Sequence, residues 1–126
     1  MGLIKGLHHV CFKCVDENEY EKVVDFYHNI LGLTIERTWE FGIMFNAGNA
    51  LIEVFKNGEP IDKGIIRHFA LETDDVDECV RVLQNAGYEV FQGPKDICIK
   101  STPEYPARIA FCLGPVGEEI EFFQVK

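Results

Sequence analysis

The apolar and polar positions change period twice along this chain, in the same order each time. His9-Val10-Cys11-Phe12-Lys13-Cys14-Val15-Asp16 reads as a strand that ends in a helix cap. Tyr20, Val23, Val24, Tyr27 and Leu31 then recur with the 3.6-residue period of an amphipathic helix, and Gly32 stands where such a helix stops. Strand-like runs follow at about 33–40, 42–46 and 50–56. The pattern restarts at His68-Phe69-Ala70-Leu71-Glu72-Thr73-Asp74-Asp75, with the same spacing from His to Asp. Asp75 with Glu78 makes a capping-box-like helix start, Val76, Cys79, Val80 and Leu83 form the stripe, and Gly87 ends it. The strand-like runs of this half are about 88–91, extendable through 97–100, then 108–113 and 118–125. The final runs also match, Gly48 to Phe55 against Gly117 to Phe123, with extra length in the second half assigned to loop around Gly93-Pro94 and Pro103 to Pro106. The chain therefore predicts an α+β fold of two tandem βαβββ modules, about 1–58 and 64–126. Neither half buries its sheet face alone, so the two form one domain spanning 1–126.

Strand parity gives four polar residues a common face. Val10, Phe12 and Cys14 form a face the first helix can cover, which leaves His9, Cys11 and Lys13 opposite. By the same alternation Glu53 opposes Ile52 and Val54, His68 opposes Phe69 and Leu71, and Glu121 opposes Ile120 and Phe122. Each His and each Glu thus belongs to the concave side, at equivalent positions in the two halves. Converging carboxylates repel and are costly to bury without a partner. A divalent cation removes that conflict, because two Glu anions balance its charge and two neutral imidazoles complete the protein ligands. His9, Glu53, His68 and Glu121 are accordingly the metal-ligand set, with the sheets curled around a metal-containing cavity. A site of two imidazoles and two carboxylates suits nickel, cobalt, iron, manganese or zinc with a raised coordination number, with nickel, cobalt or zinc favoured. It does not resemble a closed, cysteine-rich structural zinc site.

Composition narrows the partners. The 126 residues carry a formal charge of −9, which disfavours a phosphate-binding surface, so no nucleic acid is expected. No apolar run approaches the roughly 20 residues that span a bilayer, and the first residues lack the regions of a secretion signal. Five cysteines form no evident disulfide framework, which points to a reducing, cytoplasmic setting. Cys11 and Cys14 have CxxC spacing, but on a strand their sulfurs should point to opposite faces.

These residues resemble the vicinal oxygen chelate superfamily, which includes glyoxalase I, methylmalonyl-CoA epimerase, fosfomycin-resistance enzymes and extradiol dioxygenases. The resemblance rests on His9-Val10 through Asp16, Phe26-Tyr27 with Leu31-Gly32-Leu33, His68-Phe69-Ala70 through Asp75, and the strands carrying Glu53 and Glu121. The order His, Glu, His, Glu is similar to bacterial glyoxalase I. It implies a metal-dependent isomerase or lyase acting on a small oxygenated substrate, such as a thiol hemithioacetal, through a metal-bound enediolate. Glu121 is the first choice for the proton-transferring carboxylate and Glu53 the second. Lys13 and Asn57 match positions that glyoxalase I uses for substrate, and Arg37, Arg67 and Arg108 are further cations for an anionic tail. The chain departs from that pattern at Cys14, at Arg67 directly before His68, and in the placing of Phe26-Tyr27. Alternative readings are an acyl-CoA epimerase or another metal-dependent member, and a non-enzymatic protein that sequesters a small ligand in a pocket lined by Trp39, Phe45 and Phe91. The resemblance also implies a homodimer, with the site either shared across two chains (His9 and Glu53 meeting the other chain's His68 and Glu121) or closed within one.

Overall fold

The two halves of the chain meet along β1 (Ile4–Lys13), which pairs in parallel with β4 (Leu51–Phe55) and antiparallel with β5 (Ile66–Thr73). The computed structural model describes residues 2–60, 64–114 and 118–126, so Met1 and the Gly117 of the repeat lie outside the described residues. With β2 (Thr34–Trp39), β3 (Gly42–Asn46), β6 (Val90–Ile99), β7 (Tyr105–Leu113) and β8 (Glu119–Val125), the strands form one sheet in the order β2-β3-β4-β1-β5-β8-β7-β6. The repeat is visible in the pairing, since β5 and β8 run parallel just as β1 and β4 do. The sheet curls until its ends meet. Thr102 N–H donates to the Thr38 carbonyl at 3.0 Å, and the Arg37 guanidinium lies 3.6 Å from the centre of the Tyr105 ring.

One helix covers the outer face of each module. Under α1 (Glu17–Val24) lie Phe12, Cys14, Ile43, Phe45 and Val54, and Tyr20, Val23, Val24 and Tyr27 come down on them. Under α2 (Val76–Asn85), the buried Val76, Cys79 and Val80 pack on Ala110, Cys112 and Phe122. Both helices start as the sequence predicts: Asp16 accepts from the Glu19 N–H at 2.8 Å, and Asp75 accepts from the Glu78 N–H at 3.0 Å. The Glu78 side chain turns to Arg81 instead of back to the cap, so the second capping box is only half made. Gly32 and Gly87 end the helices at φ +78° and +89°, a conformation that glycine adopts without a Cβ clash.

Three local expectations are corrected. First, α1 continues into a π-helical turn, Asp25–Ile30, and the Leu31 N–H reaches back five residues to the Phe26 carbonyl. The wider turn shifts the phase of the helical stripe, so Leu31 is 56% exposed while Tyr27 stays against Phe12 and Phe45. Second, the extra length of the second half is taken up largely in strand. Gly93-Pro94 lies within the continuous β6 at a register shift, and β7 begins at Tyr105. The edge position of β6 tolerates a proline that cannot donate to a ladder. Third, Phe45 belongs to the core beneath α1 and not to a ligand pocket.

Candidate metal centre

Alternation on the central strands delivers the four sequence-predicted ligands to one place inside one chain. Cys11 pairs with Glu53 across β1 and β4 and with His68 across β1 and β5, while Ala70 pairs with Glu121 across β5 and β8. His9 Nε2 lies 3.3 Å from Glu53 Oε1 and 3.0 Å from Glu121 Oε1, and His68 Nε2 lies 3.1 Å from the same Glu121 oxygen. His9, Glu53 and His68 each present a ligand atom within 4.8 Å of the others. All four residues thus meet within a single chain, which is one of the two arrangements that the resemblance allows. No second chain is needed to bring these residues together.

Burial makes the arrangement expensive unless something shares its charge. Glu53 and Glu121 are each 4% exposed and His9 is 1% exposed. Burial opposes the His9 cation, yet the charges of Glu53 and Glu121 outweigh it and raise its pKa to about 9. Burial likewise opposes ionisation of Glu121, but His68 and His9 on its oxygen outweigh that and hold the carboxyl at about 2. Among the described residues, His9 Nε2 finds no properly directed hydrogen-bond partner despite these neighbours. A buried nitrogen left without a directed partner, facing two carboxylates and a second imidazole, fits a divalent cation with an oxygen and nitrogen donor set.

This gives a proton-linked expectation. The raised His9 pKa stabilises the metal-free protein fully below its ordinary value of 6.5, and that contribution is lost as pH rises through about 9. The lowered Glu121 pKa stabilises it above the ordinary 4.5, and that contribution is lost as pH falls through about 2. At pH 7, metal uptake should displace the His9 proton. Calorimetry in buffers of different ionisation enthalpy should report release of about one proton, with affinity rising up to roughly tenfold per pH unit until about pH 9.

The centre opens into a cavity of about 500 Å³ lined by Glu53, His68 and Glu121 together with Lys13, Trp39, Phe55, Phe111 and Phe123. Lys13 sits 5.3 Å from the centre of the Phe55 ring. A neighbouring cleft adds Arg67 and Phe91 beside Lys13 and His68, and Arg67 is held there by the Glu59 and Gly64 carbonyls. The other predicted substrate residues lie elsewhere. Asn57 is exposed beyond β4 and is not part of the cavity wall. Arg37 is engaged by the Tyr105 ring and by Met44 Sδ at 3.6 Å. Arg108 points outward to Asp77 of α2 and to Asp96, because it alternates with the inward Ala107 and Ile109. Cys11 lies on the Glu53 side of β1, where burial and Glu53 push its thiol pKa up, while Cys14 is in the core under α1, so the two sulfurs do face opposite ways.

The family model of the Glyoxalase/Bleomycin resistance protein/Dioxygenase superfamily matches residues 6–122. The chain belongs to this superfamily. Among solved structures, a selenomethionine methylmalonyl-CoA epimerase superposes with a TM-score of 0.74 at 18% identity, covering 100% of this chain and 99% of that one. The methylmalonyl-CoA epimerase of Mycobacterium tuberculosis gives 0.71 at 18% identity, with 97% and 89% covered. Hypothetical protein BH1468 of Bacillus halodurans C-125 gives 0.72 at 19% identity, with 95% and 94% covered. At these identities the likeness is one of fold. No curated protein matches the chain in a sequence search. The superfamily fold accounts for the tandem modules and the curled sheet, while the reaction must be argued from the residues in the cavity.

Two residues beside the centre were not anticipated. His8 is 5% exposed and stacks on Phe123 with ring centres 4.0 Å apart. Regular alternation sends neighbouring residues to opposite faces, but β1 shifts register against β5 between Leu7 and His9. A bulge there brings His8 to the same side as His9. Tyr105 Oη meets His8 Nε2 at 2.7 Å from the start of β7, a segment the sequence pattern assigned to loop.

Proposed function

We propose that this chain is a metal-dependent enzyme that moves a proton beside a carbonyl group, as an isomerase, epimerase or lyase on a small oxygenated substrate. The observation that carries this reading is the convergence of His9, Glu53, His68 and Glu121 on one buried point at the floor of an apolar cavity. A divalent cation held by these four would supply Lewis-acid stabilisation to negative charge developing on substrate oxygen. The chain itself supplies the rest. Glu121, whose Oε1 lies against both imidazoles, is the first carboxylate placed to take the substrate proton, and Glu53 stands on the other side of His9 as the second. Trp39, Phe55, Phe111 and Phe123 exclude water around the reacting carbon, which strengthens charge interactions there. Lys13 and Arg67 lie along the same opening and suit an anionic tail.

Both a thiol hemithioacetal and an acyl-CoA thioester present the required acidic C–H next to a carbonyl. The ligand order favours the first, and the fold shared with methylmalonyl-CoA epimerases supports the second. The test is deuterium exchange in heavy water, followed by proton NMR, with the glutathione hemithioacetal of methylglyoxal and with methylmalonyl-CoA. Metal-loaded protein should exchange or convert one of them, and metal-free protein neither. Full metal occupancy with tight substrate binding and no exchange would replace this reading by the sequestering one. We further propose a homodimer in a reducing, cytoplasmic setting. The five free cysteines support that compartment, and among the described residues no helix is long and apolar enough to cross a membrane.

A further inference from the structure

The metal ligand His9 is itself gripped from behind. Its Nδ1 lies 2.7 Å from Nδ1 of His8, and His8 Nε2 lies 2.7 Å from Tyr105 Oη. Two ring nitrogens at that distance need one proton between them, because two lone pairs would repel and two N–H groups would clash. His9 Nε2 is the nitrogen that faces Glu53 and Glu121, so coordination there leaves Nδ1 as the only position for the ring proton of a neutral His9. His8 must then accept at Nδ1, carry its own proton on Nε2 and donate it to Tyr105. The rest of the surroundings hold this chain in register: His8 lies flat on Phe123, and Arg37 caps the Tyr105 ring.

We propose that His8 is a positioning residue that fixes His9 as an Nε2 ligand, with Tyr105 in turn fixing His8. This rests on the metal reading above and adds to it a specific role for a residue that cannot reach the metal site except through His9. An outer partner of a ligating histidine commonly changes metal affinity 10- to 100-fold, because it sets the tautomer and orientation of the ring.

The test compares cobalt affinity, measured by competition with a chromophoric chelator, across variants whose folding is verified by circular dichroism. His8→Phe preserves the ring stack and removes the acceptor, and should weaken cobalt binding about 10- to 100-fold. His8→Asn places an amide oxygen near the lost Nδ1 and should recover much of that loss. Tyr105→Phe removes one hydroxyl and should cost less than His8→Phe. Affinity within twofold of the unaltered chain in a folded His8→Phe would overturn the proposal. A second readout needs no variant: long-range proton–nitrogen NMR of the unaltered, zinc-loaded protein should show His9 protonated at Nδ1 and His8 protonated only at Nε2. The opposite assignment would overturn the proposal whatever the variants do. Should the unaltered chain bind no metal, the metal reading fails by itself, and the same spectrum of the metal-free protein still decides how the proton between His8 and His9 is held.

Discussion

Replacing His9 or His68 with alanine should reduce metal binding from about one ion per chain to a level at least about 100-fold weaker, more than the loss of an outer partner of a ligand would cause. Each substitution removes one of only two imidazoles at the centre and leaves buried carboxylates facing each other. The metal-free variants should lose stability as well. Uncoupling a buried ion pair costs about 3–5 kcal/mol when one charge is left without its partner, and His9 is the cation between Glu53 and Glu121. Elemental analysis after reconstitution with nickel, cobalt or zinc measures the first effect, and thermal melts of metal-free protein measure the second. Mixing the two variants tests where the site is built. Because all four residues meet inside one chain, a mixed population of His9→Ala and His68→Ala should recover no metal binding after verified subunit exchange. Recovery would mean that the modules of two chains combine. Unchanged stoichiometry in both variants would remove the centre altogether.

The centre was legible because it is written twice. A His and a Glu at matching places in two halves, each on the strand face opposite the helix, are enough to bring the four together, and β1 to β4 and β5 to β8 pair as that reading requires. The same alternation explains what was missed. His8 follows from parity only as an outward residue, and the register shift between Leu7 and His9 that turns it inward leaves no mark in the hydrophobic pattern. Tyr105 was hidden by its neighbours, since prolines at 103 and 106 read as loop although β7 already begins between them. Leu31 fell out of the stripe because a π-helical turn changes the period within the helix. Arg108 is different, because its place was available in advance. It stands between Ala107 and Ile109, two small or apolar residues of the inner face, and parity alone sends it out to Asp77. Its charge alone makes it a candidate for an anionic tail, and the strand period overrides that.

Glu121→Gln should separate holding the metal from moving the proton. An amide oxygen still coordinates, so the variant should retain measurable metal. The amide cannot accept a proton near neutral pH, so substrate exchange should fall by about 100- to 10,000-fold, the range of a lost general base. Glu53→Gln should cost no more than about tenfold if the two carboxylates have unequal roles. The structure supplies a reason for inequality: Glu121 Oε1 lies close to both His9 and His68, at 3.0 and 3.1 Å, whereas Glu53 approaches His9 at the longer distance of 3.3 Å. That same double contact creates the main confounding effect, because loss of the Glu121 charge removes part of what raises the His9 pKa, Glu53 supplying the rest, and so changes metal competition with protons. The two variants must therefore be compared at matched metal occupancy, with exchange followed across pH. A steep loss confined to Glu121→Gln assigns the base. Equal losses in both variants would remove the preference for Glu121, and full exchange in Glu121→Gln would show that no proton passes through this carboxylate, leaving it as a ligand only.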